Sequence, residues 1–290
     1  MTQDIQRIRR FNRAVTSEVG ALDTSFLGLG RPLGSARVLN AIGNGLQEVR
    51  DVRDYLGLDS GLMSRLLRGL ESEGMITTEP SPDDSRRRIA HLTDAGRTAF
   101  AEYERLSDDR AEAILARHPR PQAILDAMDL IATALGQDRI GITEADPRSP
   151  EAIHCLTQYY QELERRFETG FDVNLSRDPD AADMIRPRGV FLLAMSDGLP
   201  IGCVGLKGSG APVAEIKRLW VSPAARGLQL ASRLMTGAED TARDLGISTL
   251  RLDTNSALPE AAALYRKTGW TEIDRFNDDP YPDMFFEKRL

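Results

Sequence analysis

Cysteine and histidine are scarce in this 290-residue chain, and no lysine precedes Lys207. The two cysteines, Cys155 and Cys203, and the three histidines, His91, His118 and His154, stand at no metal-ligand spacing. Neither a disulfide scaffold nor a metal site is expected from them. Long apolar runs are missing too. None approaches the roughly 18 residues that a membrane span needs, and the opening Met1-Thr2-Gln3-Asp4-Ile5-Gln6-Arg7 lacks the apolar core of a secretion signal. A cytoplasmic protein without membrane contact is expected. There is no excess of positive charge either. A net charge of -7 excludes a grip on a polyanion by the whole surface, so any nucleic-acid contact must come from a local basic patch. What the chain does have is length, enough for two domains of ordinary size, each with its own core.

A compositional break marks where the two meet. Before Ile140 the strongly basic residues are all arginine, and Gly136-Gln137-Asp138 follows a helical run, which sets the boundary near 138. In residues 1–138, Ile5, Ile8, Val15, Val19 and Leu22 recur at helical spacing, and further helices are predicted over Gly34 to Gly43, Arg50 to Leu56, Ser60 to Gly74, Asp94 to Arg117 and Gln122 to Leu135. One hairpin interrupts them, Met75 to Glu79 and Arg86 to Leu92, around the turn sequence Pro80-Ser81-Pro82-Asp83-Asp84-Ser85. This order suits an all-α-rich winged helix-turn-helix extended at both ends. Residues 139–290 alternate instead. Strands are predicted over Arg139 to Ala145, Val190 to Ala194, Ile201 to Gly205, Glu215 to Val221, Thr249 to Asp253 and Met284 to Lys288, with helices over Pro150 to Thr169, Leu228 to Leu245 and Pro259 to Thr268. That is a mixed α/β domain.

The helix from Ser60 to Glu73 has two faces. At about 100° per residue, Leu62, Met63, Leu66, Leu67 and Leu70 share one arc, and Gly61, Ser64, Arg65, Arg68 and Ser72 the other. Asp59 and Ser60 can cap it, and Gly57 permits a sharp turn from the helix before. Short polar side chains at a helix tip, with arginines able to reach guanine edges or phosphates, are what a major-groove reader needs. An amphipathic surface helix carries the same pattern, but here Arg86, Arg87 and Arg88 follow just beyond a turn, where a wing lays them on backbone phosphates or in a narrow minor groove. At these residues the sequence resembles the MarR family of transcriptional regulators over roughly residues 1 to 136, most specifically at Asp84, Arg86, Leu92, Thr93 and Gly96. The resemblance implies that Ser60, Ser64, Arg65, Arg68, Arg86, Arg87 and Arg88 face a double-stranded DNA operator, with Arg86 at the wing tip. It also implies that the first and last helices pair a homodimer, whose two recognition helices would read a palindrome about one helical turn, ~34 Å, apart.

In the second half an apolar strand, Glu215 to Val221, runs through Ser222-Pro223-Ala224-Ala225 into Arg226-Gly227 and then a helix at Leu228-Gln229-Leu230-Ala231. A pyrophosphate needs free backbone N–H groups and positive potential. A helix N-terminus supplies both, glycine lets the chain approach, and Arg226 adds charge. This stretch resembles motif A of the GNAT superfamily of acyl-CoA-dependent N-acyltransferases, and the resemblance extends over roughly residues 139 to 290. Gly227 matches the motif, whereas Ala224 stands where Gln or Arg is usual and Gln229 where a second Gly or Ala is. Leu250 to Asn255, followed by Pro259 to Trp270, is similar to motif B. The resemblance implies an α/β GNAT fold binding acetyl-CoA through Leu219, Trp220, Val221, Arg226, Gly227, Leu228, Gln229, Leu230, Ala231, Asn255 and Tyr265. It makes Tyr265 the acid that protonates the leaving thiolate and Glu215 the base for a primary amine, unless Glu215 is only a surface carboxylate or an ion-pair partner of Lys217. The N–H groups of Leu219 to Val221 would polarise the thioester carbonyl.

Glu164 to Asp172 and Phe276 to Tyr281 resemble acceptor-pocket walls, so Phe167, Phe171 and Tyr281 become candidate contacts to a small amine, with loop anchoring as the equal alternative. The expected function is a DNA-binding regulator fused to a small-molecule N-acetyltransferase. The alternative is a regulator whose second half senses acyl-CoA or an amine without turnover, an alternative kept open by Gln229.

Overall fold

The computed structural model describes residues 2–168, 170–175, 183–208, 210 and 212–290. By its contacts the chain divides into two compact units, Met1–Pro121 and Gln122–Leu290.

The first unit is helical with one hairpin. Helix α1 (Thr2–Glu18) opens it, and α2 (Leu33–Gly43), α3 (Val49–Leu56), α4 (Ser60–Ser72) and α5 (Asp94–Ala116) pack around β1 (Ile76–Pro80) and β2 (Arg88–Leu92). Val38, Leu39 and Ile42 of α2, Val52 of α3, and Met63, Leu67 and Leu70 of α4 make one core with Ile76 and Ala90 of the hairpin. That core is the apolar arc expected of α4, and its polar arc is left outside. The turn between α3 and α4 follows from two residues. Gly57 closes α3 in the left-handed region at φ 63°, which costs a glycine little, and the Asp59 carboxylate accepts from the Leu62 amide at 2.9 Å to cap α4. The hairpin is antiparallel, Ile76 opposite Leu92 and Pro80 opposite Arg88. Its second strand therefore starts two residues later than expected, and Arg86 and Arg87 sit in the turn, where the Asp84 carboxylate accepts the Arg86 amide at 3.0 Å. Helix α1 also ends sooner than its apolar spacing suggested, at Glu18, leaving Val19 to Leu22 in turns around Gly20.

The helix α6 (Pro121–Leu135) leads into a seven-stranded sheet. Its strands are β3 (Gly141–Ala145), β4 (Val190–Ser196), β5 (Leu199–Gly208), β6 (Val213–Val221), β7 (Thr249–Thr254), β8 (Thr271–Ile273) and β9 (Met284–Arg289), in the order β3-β4-β5-β6-β7-β9-β8. Among these strands β6 and β7 alone run parallel, joined through a crossover helix, α8 (Leu230–Asp244). Helices α7 (Pro150–Arg166) and α9 (Pro259–Lys267) complete the unit. The sheet is covered on both faces, and alternation along β4 shows it. Val190, Leu192 and Ala194 join the cluster that holds Leu234, Met235 and Ala238 of α8, while Phe191 and Leu193 join Ala152, Cys155 and Leu156 of α7. The three-residue β8 was not foreseen. It is too short to show a period of two, and only its pairing to β9 defines it.

Candidate functional site

Two irregularities in β6 build the site. The register with β5 slips so that Cys203 pairs with Trp220 but Gly205 with Lys217, a two-residue step answered by three residues. Arg218 takes up the extra residue at φ 59°, a bulge. Side-chain directions reverse across it. Ala214 and Ile216 pack on the α8 side, whereas Trp220 packs on the α7 side, leaving Leu219 and Val221 against the α8 cluster. The second irregularity lies at the other edge. Pairing of β6 with β7 stops at Ile216 and Leu252, although the strands continue to Val221 and Thr254. The two strands part, and the β6 edge beyond Ile216 keeps no ladder on that side among the described residues.

A cavity of about 360 Å³ occupies this opening, lined among others by Glu215, Lys217, Leu219, Asp253, Asn255 and Tyr265. Tyr265 enters from the α8-side cluster, while Tyr159 and Leu163 of α7 close the other side. Burial, with smaller contributions from Tyr159 and Asp253, pushes the Tyr265 phenol well above the ordinary tyrosine range, so it holds its proton at neutral pH. The floor is charged. The Lys217 ammonium donates to Asp253 Oδ2 at 2.6 Å and lies 3.1 Å from Glu215 Oε2, and the buried Asn277 amide donates to the same Asp253 oxygen at 2.6 Å. Burial alone would lower the Lys217 ammonium, but the two carboxylates outweigh it and hold the group above the usual lysine range.

Phe167, Phe171 and Tyr281 all reach the cavity, with ring centroids 4.7 Å apart for Phe171 and Tyr281 and about 6 Å for the other two pairs. They also anchor loops, since the Tyr281 hydroxyl accepts from the Asp172 amide at 2.8 Å. Thr169, between the two phenylalanines, lies outside the described residues. Asn255 lines the cavity with its amide engaged, donating to the Tyr281 carbonyl at 2.7 Å and accepting from the Ala257 amide at 2.8 Å.

The loop that leaves β6 meets the demands of a phosphate. Gly227 stands exposed at φ 83° with open space around it, and among the described residues no side chain bonds the first-turn amides of α8. By contrast Asp59, Thr93 and Ser149 cap α4, α5 and α7. Uncapped donors on a helix of this length suit an anion. Gln229 is the cap residue of α8 at φ 57°, exposed and in the left-handed region that glycine occupies at little cost. Arg226 does not face open solvent alone. Its guanidinium donates to both Glu162 oxygens, at 2.7 and 2.8 Å, and to the Val221 carbonyl at 3.3 Å. Glu162 also accepts from the Trp220 indole at 3.0 Å, which holds that side chain on the α7 side of the sheet. Leu230 is buried in the core, while Leu228 and Ala231 are half-buried at the helix start.

In the first unit, Ser60, Ser64, Arg65 and Arg68 are exposed along one face of α4, and Arg86, Arg87 and Arg88 along the wing. Arg65 has no ion pair or side-chain hydrogen bond among the described residues. The wing arginines are partnered: Arg86 with Asp84 at 3.1 Å, Arg87 with Glu48 at 3.2 Å and Arg88 with Glu71 at 3.4 Å.

Residues 156–270 match the Acetyltransferase (GNAT) family, and residues 27–87 match the MarR family. The chain is 34% identical over 142 residues to an IAA acetyltransferase of Azospirillum brasilense, spanning 47% of this chain and 91% of that protein. The chain belongs to the GNAT acetyltransferase family, with a MarR family domain ahead of it. It is also 29% identical over 106 residues to an aminoalkylphosphonate N-acetyltransferase of Salmonella typhimurium, 35% of this chain and 69% of that one. A GNAT-family acetyltransferase structure from Staphylococcus aureus aligns with 52% of this chain and 99% of its own, at 19% identity and a TM-score of 0.46. The GNAT half is thus an acyltransferase that uses acetyl-CoA, and its α/β fold is the one expected. None of its described helices is long and apolar enough to cross a membrane.

Three residues of the GNAT site were given no role from the sequence: Asp253 and Asn277, although both lie in segments read as motif B and as an acceptor wall, and Glu162. Asp253 alternates with Leu252 in β7 as Lys217 does with Ile216 in β6, so both were readable as facing away from the α8 core, but nothing local joined them. Asn277 and Glu162 come from a loop and a helix distant in sequence, and no spacing points to either.

Proposed function

We propose that this chain is a bifunctional protein. Residues 139–290 transfer acetyl from acetyl-CoA to a primary amine on a small molecule, and residues 1–138 bind a double-stranded DNA operator as a homodimer. The observation that carries the acyl-transfer reading is the convergence of Glu215, Tyr265 and the open edge of β6 on one cavity. In this reading the acceptor ammonium gives one proton to Glu215, which passes it to solvent, and the free amine attacks the thioester carbon. The amides of Leu219 to Val221 stabilise the oxyanion. Tyr265 then protonates the departing thiolate, and the second nitrogen proton restores the phenol, leaving an amide and free coenzyme A. Arg226, Gly227, Gln229 and the first amides of α8 hold the pyrophosphate, while Phe167, Phe171 and Tyr281 enclose the body of the acceptor.

The DNA-binding reading draws on the exposed polar face of α4 and the wing. The dimer reading draws on apolar residues that a lone chain leaves in water: Ile5, Ile8 and Val15 on α1, and Met128, Leu130 and Leu135 on α6, each at least 40% exposed. The test of transfer is coenzyme A thiol release with a panel of primary amines. Tyr265→Phe is expected to depress turnover while sparing acetyl-CoA binding, and unchanged turnover would remove Tyr265 from the reaction.

A second reading, a regulator that senses acyl-CoA or the amine, is favoured by Gln229 in the cofactor loop. It predicts that acetyl-CoA changes operator affinity, and operator acetyl-CoA affinity, by the same factor, with no thiol released.

A further inference from the structure

The charged floor of the cavity assigns work to a residue that the acyl-transfer reading leaves out. Glu215 and Lys217 lie on the same face of β6, two residues apart, before the bulge reverses the strand. Carried one step past its last pair, Ile216 with Leu252, the parallel register sets Lys217 opposite Asp253 at the mouth of the splay. One ammonium therefore lies between two carboxylates, at 2.6 and 3.1 Å, and all three side chains line the cavity. The same Asp253 oxygen also accepts from the Asn277 amide, so Lys217 is held by an anchored partner rather than by two mobile ones. Its side chain is 15% exposed, which makes the contact a strong one compared with a surface pair.

We propose that Lys217 is a positioning residue for acetyl transfer: tethered to Asp253, its ammonium holds the Glu215 carboxylate at the acceptor end of the cavity and supplies the counter-charge that lets two carboxylates share one floor. The proposal rests on Glu215 being the base. It explains why an ion pair with Lys217 and a role as base are not alternatives. The cluster of two carboxylates and one ammonium carries a net charge of one negative unit, which a protonated acceptor amine neutralises on arrival. Other groups facing this floor are Lys207 on β5, paired in register with Glu215, Tyr159 on α7, Tyr265 on α9 and Asp279 in the loop before β9. The Arg218 guanidinium lies over the Tyr160 ring, 5.0 Å from its centre.

The consequence is a pattern of shifts in the acid limb of kcat, measured at saturating acetyl-CoA and amine. Lys217→Met leaves two carboxylates facing each other and moves the limb to higher pH by about one unit or more. Asp253→Asn removes the second carboxylate and moves it to lower pH. The double variant, Lys217→Met with Asp253→Asn, restores a single negative charge and returns the limb to within a few tenths of a unit of the parent. It also guards the test, since it folds without an unpaired buried charge even where Lys217→Met alone does not. Lys217→Arg, which keeps the charge, leaves the limb in place. Opposite shifts in the two single variants, or a lowered limb for Asp253→Asn with restoration in the double variant, support the proposal. Limbs that coincide in all variants, while Glu215→Gln is inactive, overturn the proposal and leave Glu215 as base. An active Glu215→Gln overturns both.

Discussion

Helices α4 and α8 are both proposed to meet a phosphate-bearing ligand, yet they are finished in opposite ways. The Asp59 carboxylate accepts from one first-turn amide of α4, that of Leu62, whereas no side chain among the described residues caps α8, whose preceding residue, Gln229, is left-handed. A carboxylate cap stabilises the helix by about 1 kcal/mol, takes up one of the free amides and sets a negative charge beside the others. Recognition by α4 must then come from side chains, Ser64, Arg65 and Arg68, which suits a ligand that is read in detail. An uncapped end gives up that stability and offers backbone donors, which suits a ligand that is the same every time. The arginines follow the same division. Arg65 has no partner among the described residues, whereas Arg226 is already paired with Glu162, so at α8 the backbone amides are the donors left without a side-chain partner.

The contrast can be broken from either end. The largest effect is expected from Arg65→Ala with Arg86→Ala, which lowers operator affinity about a hundredfold in a gel-shift or anisotropy titration. It also flattens the dependence of log affinity on log salt by about one unit for each phosphate no longer neutralised, with acetyl transfer unchanged. Next is Gly227→Asp, which sets a carboxylate where α8 meets the pyrophosphate and forces a non-glycine residue to φ 83°. The KM for acetyl-CoA is expected to rise about thirtyfold with operator affinity unchanged.

Gln229→Gly works the other way. It relieves a left-handed residue, so the Tm of the chain holds or rises by an amount worth about 1 kcal/mol, and the KM for acetyl-CoA falls severalfold as bulk leaves the loop. The smallest effect belongs to Asp59→Asn. It keeps the cap and therefore the stability, but removes a negative charge from the tip of α4, so operator affinity rises about two- to fivefold at low salt.

The same contrast explains what the sequence could tell. Helices, hairpin and most strands were legible because burial imposes a pattern on apolar residues: Leu62 to Leu70 show the helical period openly, and Val190 to Ala194 the short unbroken apolar run of a strand buried on both faces. The loop after β6 was legible because a phosphate site needs glycine and a strand-to-helix step, both contiguous in the chain. The charges were not. Lys217, Asp253 and Asn277 meet through pairing of β6 with β7 and through a loop some 60 residues on from Lys217, and Glu162 reaches Arg226 across 64 residues. Ion-pair partners need only be near in space, so no spacing records them. The bulge at Arg218 was hidden for a related reason. Its alternating burial runs on unbroken through Val213–Val221 while the faces change over beneath it.

The central claim, that the cavity between β6 and β7 acetylates a primary amine, is tested most directly by following coenzyme A thiol release and acetylated amine together. Amine-dependent thiol release is expected, matched one for one by acetylated product, lost in Glu215→Gln and strongly reduced in Tyr265→Phe. Binding of acetyl-CoA without thiol release for any primary amine, together with an acetyl-CoA-dependent change in operator affinity, would contradict it.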